Sequence, residues 1–253
     1  MKRTLANRTI IIGSGKGGVG KSTIAVNLAV ALAQQGLTVS LFDADIYGPS
    51  IPIMMGLRRL EPQTISDEEG NKKILPFKKF GVEILSIGFF VEEAQPITWR
   101  GPMLHNTLQK MIDDVAWGDS EILLVDLPPG TGDIPISLSQ LLKIDGALIV
   151  TTPQEVAVAD ALKALNSYDQ LEIPILGIIE NMAGYCLPDG TVDHLFGKGK
   201  AKLLADRFSL PLLASIPLDR SIREGGDQGV PPALHRNPRS IGHYFNELAS
   251  KII

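Results

Sequence analysis

The sequence contains little cysteine and no long hydrophobic run, and each absence excludes a class of protein. Its single cysteine, Cys186, excludes an internal disulfide and any multi-cysteine metal or cluster site within one chain. A formal net charge of −4 argues against a dedicated nucleic-acid binder, whose domains are usually strongly basic. No window approaches the roughly 18 uncharged apolar residues of a membrane-spanning helix. We therefore expect neither nucleic acid nor membrane as a partner.

The basic amino terminus is also too weakly apolar to be a signal peptide. It leads into Ile10, Ile11 and Ile12 and then glycine, which is too short for a signal-peptide core. Hydrophobic residues make up 44% and charged residues 21%, ordinary values for a folded globular protein. The expected location is the cytoplasm.

Short apolar, β-branched runs alternate with longer stretches of helical spacing along the whole sequence. Near-continuous apolarity indicates strands buried on both faces of a parallel sheet. The predicted strands cover residues 9–12, 38–42, 83–87, 122–125, 147–150, 175–179 and 212–216, and the clearest helices cover 22–35, 103–115, 156–171 and 241–252. This alternation predicts an α/β fold: one open, mostly parallel sheet with helices on both faces.

One region breaks the alternation. Residues 48–80 combine prolines and glycines with a charged patch at 67–73. They are predicted to form an inserted loop or hairpin over one end of the sheet. Because no linker or repeat is recognisable, residues 1–253 are expected to form a single domain.

A glycine-rich segment directly follows the first predicted strand and opens a helix. Residues 15–22 fit the pattern G-x-x-x-x-G-K-[ST], which cradles phosphate because glycines allow close approach to backbone N–H groups. Lys21 is predicted to contact the β- and γ-phosphates, and the Ser22 hydroxyl to bind Mg²⁺. The predicted nucleotide-binding residues here are Gly15, Gly17, Gly18, Val19, Gly20, Lys21, Ser22 and Thr23.

A second lysine, Lys16, lies inside the same loop. Cradling phosphate does not require it, so it is either a solvated loop charge or a group that acts on a nucleotide held by another subunit. In the second case it supplies positive charge to the transition state, as an arginine finger does.

Acidic residues follow two predicted strands. Ligands of open α/β sheets lie beyond the carboxyl ends of the strands, so Asp43, Asp45 and Asp126 are expected to converge on the phosphate loop. Asp126 and Asp43 are predicted to take part in the magnesium shell, and Asp45 to orient or deprotonate the attacking water. The alternative is that all three are helix caps or loop carboxylates. The Pro- and Gly-rich loop 127–133 suits a switch that senses the γ-phosphate.

Taken together, these segments resemble the MinD/ParA/Mrp class of P-loop ATPases, with its deviant Walker A motif. The similarity is closest to the Mrp-type iron–sulfur cluster carriers, also called the nucleotide-binding-protein family. The segments that carry it are K-G-G-V-G-K-S-T in the loop, D-A-D-I-Y-G-P-S at 43–50, W-R-G-P-M at 99–103, D-L-P-P-G-T-G-D at 126–133, E-N-M at 180–182, F-G at 196–197 and I-P-L-D at 216–219.

The resemblance implies a three-layer P-loop fold and an ATP-dependent homodimer with Lys16 reaching across it. It also implies that Asn181, at a strand end, hydrogen-bonds adenine, with Pro217 and Asp219 beside the base. No N-K-x-D guanine signature follows a late strand, which favours ATP over GTP. Trp99 and Arg100 are either part of an interface or ordinary packed and surface residues.

The sequence departs from the Mrp pattern at one functional position. Such carriers commonly have a C-x-x-C pair soon after E-N-M, and a homodimer then supplies four thiolates to a [4Fe–4S] cluster. Here only Cys186 is present. Asp189, Asp193 or His194 are candidate additional ligands, but Asp189-Gly190 is more typical of a tight turn.

Three functions remain in competition. The first is a slow, Mg²⁺-dependent ATPase switch that assists iron–sulfur cluster assembly or transfer, with a scaffold or recipient protein as partner. The second is a cluster-free Mrp-like ATPase that scaffolds or activates a partner enzyme. The third is a MinD/ParA-type positioning ATPase bound to membrane or DNA. Its candidate membrane contact is the apolar face of helix 241–252, and its candidate DNA contacts are Lys72, Lys73, Lys78 and Lys79.

Overall fold

The computed structural model describes residues 2–67, 70–90 and 101–253. Trp99 and Arg100, together with Glu68 and Glu69 of the charged patch, lie outside these residues. The hypotheses concerning them stay as the sequence leaves them.

A nine-stranded sheet forms the centre of the described structure. Its parallel strands lie in the order β6-β2-β7-β1-β8-β9-β11, with antiparallel β5 beside β6 and β10 beside the end of β9. A separate antiparallel hairpin pairs β3 with β4. The strands are β1 (Ala6–Gly13), β2 (Val39–Asp43), β3 (Thr64–Ser66), β4 (Lys72–Ile74), β5 (Phe77–Lys79), β6 (Val82–Ser86), β7 (Ser120–Asp126), β8 (Gly146–Thr151), β9 (Ile175–Cys186), β10 (Val192–Asp193) and β11 (Leu212–Leu218).

Helices cover both faces of this sheet. On one face α1, α8 and the short α2 pack in a single apolar cluster, and the other face is covered by α3 to α6. The helices are α1 (Lys21–Gln34), α2 (Ile51–Met54), α3 (Gly101–Asp113), α4 (Asp133–Leu141), α5 (Glu155–Gln170), α6 (Lys200–Arg207), α7 (Arg220–Gln228) and α8 (Gly242–Ile252). The predicted α/β fold with a mostly parallel sheet between helical layers is confirmed.

The register places the carboxyl ends of the central strands side by side. Asp43 on β2 pairs with Asp126 on β7 and with Ser86 on β6, and Ile12 on β1 pairs with Asp126 from the other side. Parallel strands end at a common edge, so polar residues that terminate separate strands become neighbours there.

Two predicted elements differ in the structure. The strand predicted at 175–179 continues to Cys186, because after the β8 pairing ends at Glu180 the chain still pairs with β11. Asn181 is therefore inside β9 and not at its end. The supposed insertion at 48–80 contains α2 and the β3–β4 hairpin, but also β5, which belongs to the central sheet.

The last helix packs on the body of its own chain. Phe245, Leu248 and Ile252 of α8 are buried in the cluster that contains α1. Within the described residues, no helix has the length and hydropathy needed to cross a membrane.

Candidate functional site

The glycine-rich loop connects β1 to α1 at the carboxyl edge of the sheet. Gly18 and Gly20 have φ angles of 81° and 86°, in the left-handed region that L side chains rarely adopt. Gly20 directly precedes α1, so the loop turns sharply and ends on the amino terminus of that helix. This is the geometry in which backbone N–H groups and the helix dipole favour an anion.

Two other contacts explain why this loop requires glycine. A Cβ on Gly15 would lie 2.0 Å from the backbone carbonyl of Asp160 on α5. A Cβ on Gly20 would lie 2.2 Å from Nδ2 of Asn181. The backbone of α5 therefore excludes a side chain at Gly15, and a side chain at Gly20 would displace the Asn181 amide.

Lys21 is buried under the loop and faces two carboxylates. Its Nζ donates to Asp126 Oδ1 at 2.8 Å and lies 3.6 Å from Asp45 Oδ2. It also donates to the Ser22 hydroxyl at 3.3 Å. A buried ammonium needs such partners, since an unpaired buried charge costs several kcal/mol.

Asp126 is fully buried, and only one of its oxygens is paired. Oδ1 accepts from Lys21, whereas Oδ2 is buried without a hydrogen-bond partner. Burial raises the pKa of Asp126, and the charge and hydrogen bond of Lys21 oppose this rise. A buried acceptor without a donor is a costly arrangement that a cation or a bound water would relieve.

Asp43 is also fully buried, but both of its oxygens are paired. Oδ2 accepts from the Ser86 hydroxyl at 2.8 Å and from the Ile51 N–H at 3.3 Å, and Oδ1 accepts from the Asp45 N–H at 3.1 Å. Burial, together with the negative charge of Asp126, raises the pKa of Asp43 to about 8. About four acceptor positions exist on a carboxylate, so little capacity is left for a further ligand.

Asp45 lies where the chain leaves β2 and faces the cavity above the loop. Its Oδ1 accepts from the N–H groups of Tyr47 and Gly48, both at 3.3 Å, and its Oδ2 faces Lys21. The cavity has a volume of about 190 Å³. Its lining consists of Ser14, Lys16, Gly17, Gly18, Val19, Gly20, Lys21, Ser22, Thr23, Asp45, Ser50, Met54 and Pro129.

Lys16 is exposed at the rim of this cavity. Its carbonyl accepts a hydrogen bond from the Ser14 hydroxyl at 3.1 Å, which fixes the backbone of the loop beneath the side chain. The position leaves the Lys16 ammonium at the protein surface, in contrast to the buried Lys21.

The loop that follows β7 is tied to the phosphate loop. The Gly130 N–H donates to the Ser14 carbonyl at 2.8 Å, and the Leu127 N–H donates to the Ile12 carbonyl at 3.1 Å. Pro129 lies beside Gly17: a Cβ added to Gly17 would be 3.7 Å from Cγ of Pro129. The proposed γ-phosphate sensor thus lies at the cavity.

The residues predicted to contact the base lie in different surroundings. Asn181 is buried and donates from Nδ2 to the Val19 carbonyl at 2.9 Å, so it contacts the phosphate loop itself. Pro217 is half-buried near the end of β11, and Asp219 is exposed and caps α7 by accepting from the Ser221 N–H at 2.7 Å. The structure brings only Asn181 into contact with the loop.

Cys186 is exposed at the end of β9, far along the hairpin that β9 forms with β10. Asp189 accepts from the Thr191 N–H at 2.9 Å and from its hydroxyl at 2.6 Å, and Gly190 has a φ of 85°, so Asp189-Gly190 forms the predicted turn. Among the residues that the structure describes, no group of three or more His, Cys, Asp or Glu side chains could hold a metal ion.

Sequence reasoning missed several residues of the site. Ser86 belongs to no recognisable motif, yet its hydroxyl donates to Asp43. The available sequence signal was that Ser86 directly follows the apolar residues Ile84 and Leu85, just as Asp43 follows an apolar run. Ser50 and Met54 line the cavity. They come from segments that the fold, and no sequence motif, brings to the phosphate loop.

Comparisons with known proteins show the family to which the chain belongs. Residues 6–253 match the ParA-type family described as the NUBPL iron-transfer P-loop NTPase. The chain is 46% identical over 246 residues to the mitochondrial iron–sulfur protein required for NADH dehydrogenase of Arabidopsis thaliana, covering 96% of this chain and 77% of that protein. It is 46% identical over 242 residues to the iron–sulfur cluster carrier protein of Aquifex aeolicus, covering 95% of this chain and 65% of that protein.

Solved structures give the same result. The nucleotide-binding protein of Archaeoglobus fulgidus in complex with ADP superposes with a TM-score of 0.76 at 37% identity, over 89% of this chain and 87% of that one. The cell division ATPase MinD of Pyrococcus furiosus superposes with a TM-score of 0.71 at 25% identity, over 97% of this chain and 98% of that one. The chain belongs to the NUBPL/Mrp family of iron–sulfur cluster carriers within the ParA/MinD P-loop NTPases.

Proposed function

We propose that this chain is a Mg²⁺-dependent, ATP-binding and ATP-hydrolysing dimeric switch that assists iron–sulfur cluster assembly or transfer. The observation that carries the proposal is the buried Lys21, which faces Asp126 and Asp45 beneath a glycine-lined cavity. A buried cation held by carboxylates at the amino terminus of a helix is ready to exchange those partners for phosphate oxygens.

The residues present fit a magnesium ion as well as phosphate. The unpartnered Oδ2 of Asp126 and the hydroxyl of Ser22 would hold the metal, Asp126 through water. When bound, Mg²⁺ neutralises charge on the β- and γ-phosphates. Asp43 contributes through its remaining acceptor position and through its hold on the Asp45 backbone.

The proposed chemistry is attack of water on the γ-phosphate. Asp45 is the group that orients or deprotonates the water, because its carboxylate borders the cavity. Lys16, exposed at the rim, acts on the nucleotide of a second copy. Each nucleotide then lacks a cation from the second copy until two chains meet, which couples hydrolysis to dimerisation. Turnover is expected to be slow, as suits a switch.

ATP is proposed over GTP. The Asn181 amide group lies against the phosphate loop, and its carbonyl oxygen is the end that would accept from the adenine amino group. Pro217 and Asp219 complete the proposed border of the base. The ADP complex of the Archaeoglobus fulgidus relative supports a purine nucleotide in this fold.

The proposed cargo is an iron–sulfur cluster, as the names of the relatives suggest. Cys186 is the candidate contact, since it is exposed on the β9–β10 hairpin. Two copies supply two thiolates, whereas a [4Fe–4S] cluster normally takes four. A partner protein would have to complete such a site.

A second function is favoured by one specific observation. Asp189, the residue three positions after Cys186, has its carboxylate engaged by Thr191 in a turn. This occupies the position at which a C-x-x-C pair would place its second ligand. A cluster-free ATPase that activates a partner is therefore the competing proposal. A membrane-positioning role gains no support from α8, whose apolar face is buried.

The nucleotide proposal is tested by calorimetry and thermal melting with millimolar Mg·ATP, with Mg·GTP and ATP in EDTA as controls. We expect heat of binding and a raised melting temperature with Mg·ATP, and weaker effects in both controls. Well-folded protein that shows neither heat nor stabilisation would refute nucleotide binding.

The cargo proposal is tested by iron and sulfide content after anaerobic purification or reconstitution. The Cys186→Ser variant is the matched control, because it changes one atom of an exposed side chain. Iron and sulfide that disappear in the variant support a cluster held through Cys186. Equal non-zero content in both proteins would remove Cys186 from any cluster-binding role, and no iron or sulfide in either protein would support the cluster-free alternative.

A further inference from the structure

The end of β6 lies directly behind the carboxylates of the nucleotide site. Ser86 is the last residue of β6, is fully buried and pairs in register with Asp43, the last residue of β2. Ser86 does not line the cavity, so any effect on the site must pass through the residues that it contacts, of which Asp43 is bonded to it directly.

A chain of hydrogen bonds connects Ser86 to the cavity. The Ser86 hydroxyl donates to Asp43 Oδ2 at 2.8 Å, and Asp43 Oδ1 accepts from the Asp45 N–H at 3.1 Å. Asp43 Oδ2 also accepts from the Ile51 N–H, the first amide of α2. The two segments that Asp43 holds carry Asp45 and Met54, which border the cavity.

The same hydroxyl is itself fixed from the other side. It accepts from the Gly88 N–H at 2.9 Å, which starts the short 3₁₀ turn Ile87–Phe89. Gly88 packs against Pro49, since an added Cβ would lie 2.9 Å from the Pro49 Cβ. The orientation of the Ser86 hydroxyl is thus fixed by its two hydrogen bonds. The 48–50 segment packs against the 3₁₀ turn that supplies one of them.

We propose that Ser86 is a positioning residue of the nucleotide site, which acts through Asp43 to hold the Asp45 carboxylate and the start of α2 in place. This inference rests on the proposed ATPase function. It predicts that losing the hydroxyl slows the chemical step and leaves nucleotide binding nearly intact, because Ser86 touches neither the phosphate loop nor Lys21.

The test compares Ser86→Ala with Ser86→Thr, which keeps a hydroxyl. Single-turnover ATP hydrolysis should be about 10-fold slower in Ser86→Ala, the loss expected for about 1.4 kcal/mol of positioning. The dissociation constant for Mg·ATP, measured by calorimetry, should stay within about 2-fold. Ser86→Thr should recover most of the rate. Gly88→Ala, which pushes on Pro49, should also lower the rate.

The matched control is Ser40→Ala. Ser40 is a buried serine of β2 whose hydroxyl is 2.6 Å from that of Ser120, at the opposite end of the sheet. Its rate should equal that of the wild type. If the wild type hydrolyses ATP and Ser86→Ala is equally fast, or if binding and rate fall together, the role of Ser86 is refuted. If the wild type neither binds nor hydrolyses ATP, the proposed function itself fails.

Discussion

The two ends of the central strands bury polar side chains in opposite ways. At the amino end, the hydroxyls of Ser40 and Ser120 pair with one another at 2.6 Å. At the carboxyl end, Asp43 and Asp126 are both fully buried and lie in register on neighbouring strands, so like charges repel. One oxygen of Asp126 has no partner at all.

The two ends differ in whether their buried polar groups satisfy one another. A hydrogen-bonded pair of hydroxyls stabilises the folded protein by about 1 kcal/mol and needs no further partner. Two buried carboxylates close to one lysine leave negative charge that is not fully compensated, and a bound cation would stabilise it. The carboxyl end is thus arranged for a ligand that the amino end does not need.

The largest expected effect concerns Lys21. Lys21→Ala should weaken Mg·ATP binding by at least about 100-fold, because it removes a charge-assisted contact to phosphate and leaves Asp126 buried without its cation. Calorimetry measures the loss. Circular dichroism must show folded protein for the result to count, and binding within a few-fold of the wild type would contradict the proposed site.

Lys16 should give a different result from the same kind of substitution. Lys16→Ala should slow hydrolysis by about 100-fold or more while binding changes by less than about 3-fold, since the exposed side chain is proposed to act on the nucleotide of a second copy. Mixing Lys16→Ala with an Asp45→Asn chain should restore part of the activity in heterodimers. Equal loss of binding in Lys16→Ala and Lys21→Ala would argue against the cross-subunit role.

A smaller effect should appear as a pH dependence of stability. The pKa of Asp43 is raised from its usual 3.8 to about 8, so the buried group favours the protonated form. Its contribution to stability is complete below about pH 4 and is lost as the pH rises toward 8.

Urea unfolding of nucleotide-free protein in EDTA, at several values between pH 5 and pH 8, measures this dependence. The free energy of unfolding of Asp43→Asn should decline less steeply than that of the wild type. Parallel slopes for the two proteins would show that Asp43 does not titrate in this range.

The smallest effect is expected at the amino end. Ser120→Ala should lower the free energy of unfolding by about 1 kcal/mol or less, because Ser40 still has Glu83 Oε2 at 3.4 Å as an acceptor. Nucleotide binding and hydrolysis should not change. A loss of activity would show that the two ends of the sheet are coupled.

The sequence predicts the central strands well because they are uniformly apolar. The sequence prediction fails where strand pairing extends beyond the apolar run. Strand β9 continues through Glu180 and Asn181, which are polar but pair with β11. The edge strand β5 has too short a run to be recognised, and α7 contains Gly225 and Gly226, which obscure helical spacing.

The candidate site shows the same division. The place of Asp126 at the carboxyl end of a strand predicts that it lies at the phosphate loop, and in the structure its Oδ1 is 2.8 Å from Nζ of Lys21, which belongs to the loop motif. Spacing cannot predict that the Asn181 amide donates to the Val19 carbonyl, or that Ser86 supports Asp43. Those contacts depend on the order of strands in the sheet, which no local pattern contains.

The hydrogen bond from the Gly130 N–H to the Ser14 carbonyl has a mechanical consequence. The loop after β7 is hydrogen-bonded near its middle to the base of the phosphate loop, so a movement of the whole stretch from Leu127 to Asp133 would have to break this bond. Any rearrangement on phosphate release must either break this tether or be confined to the stretch beyond it, which leads straight into α4. Movement would then be passed to the helical layer opposite α1.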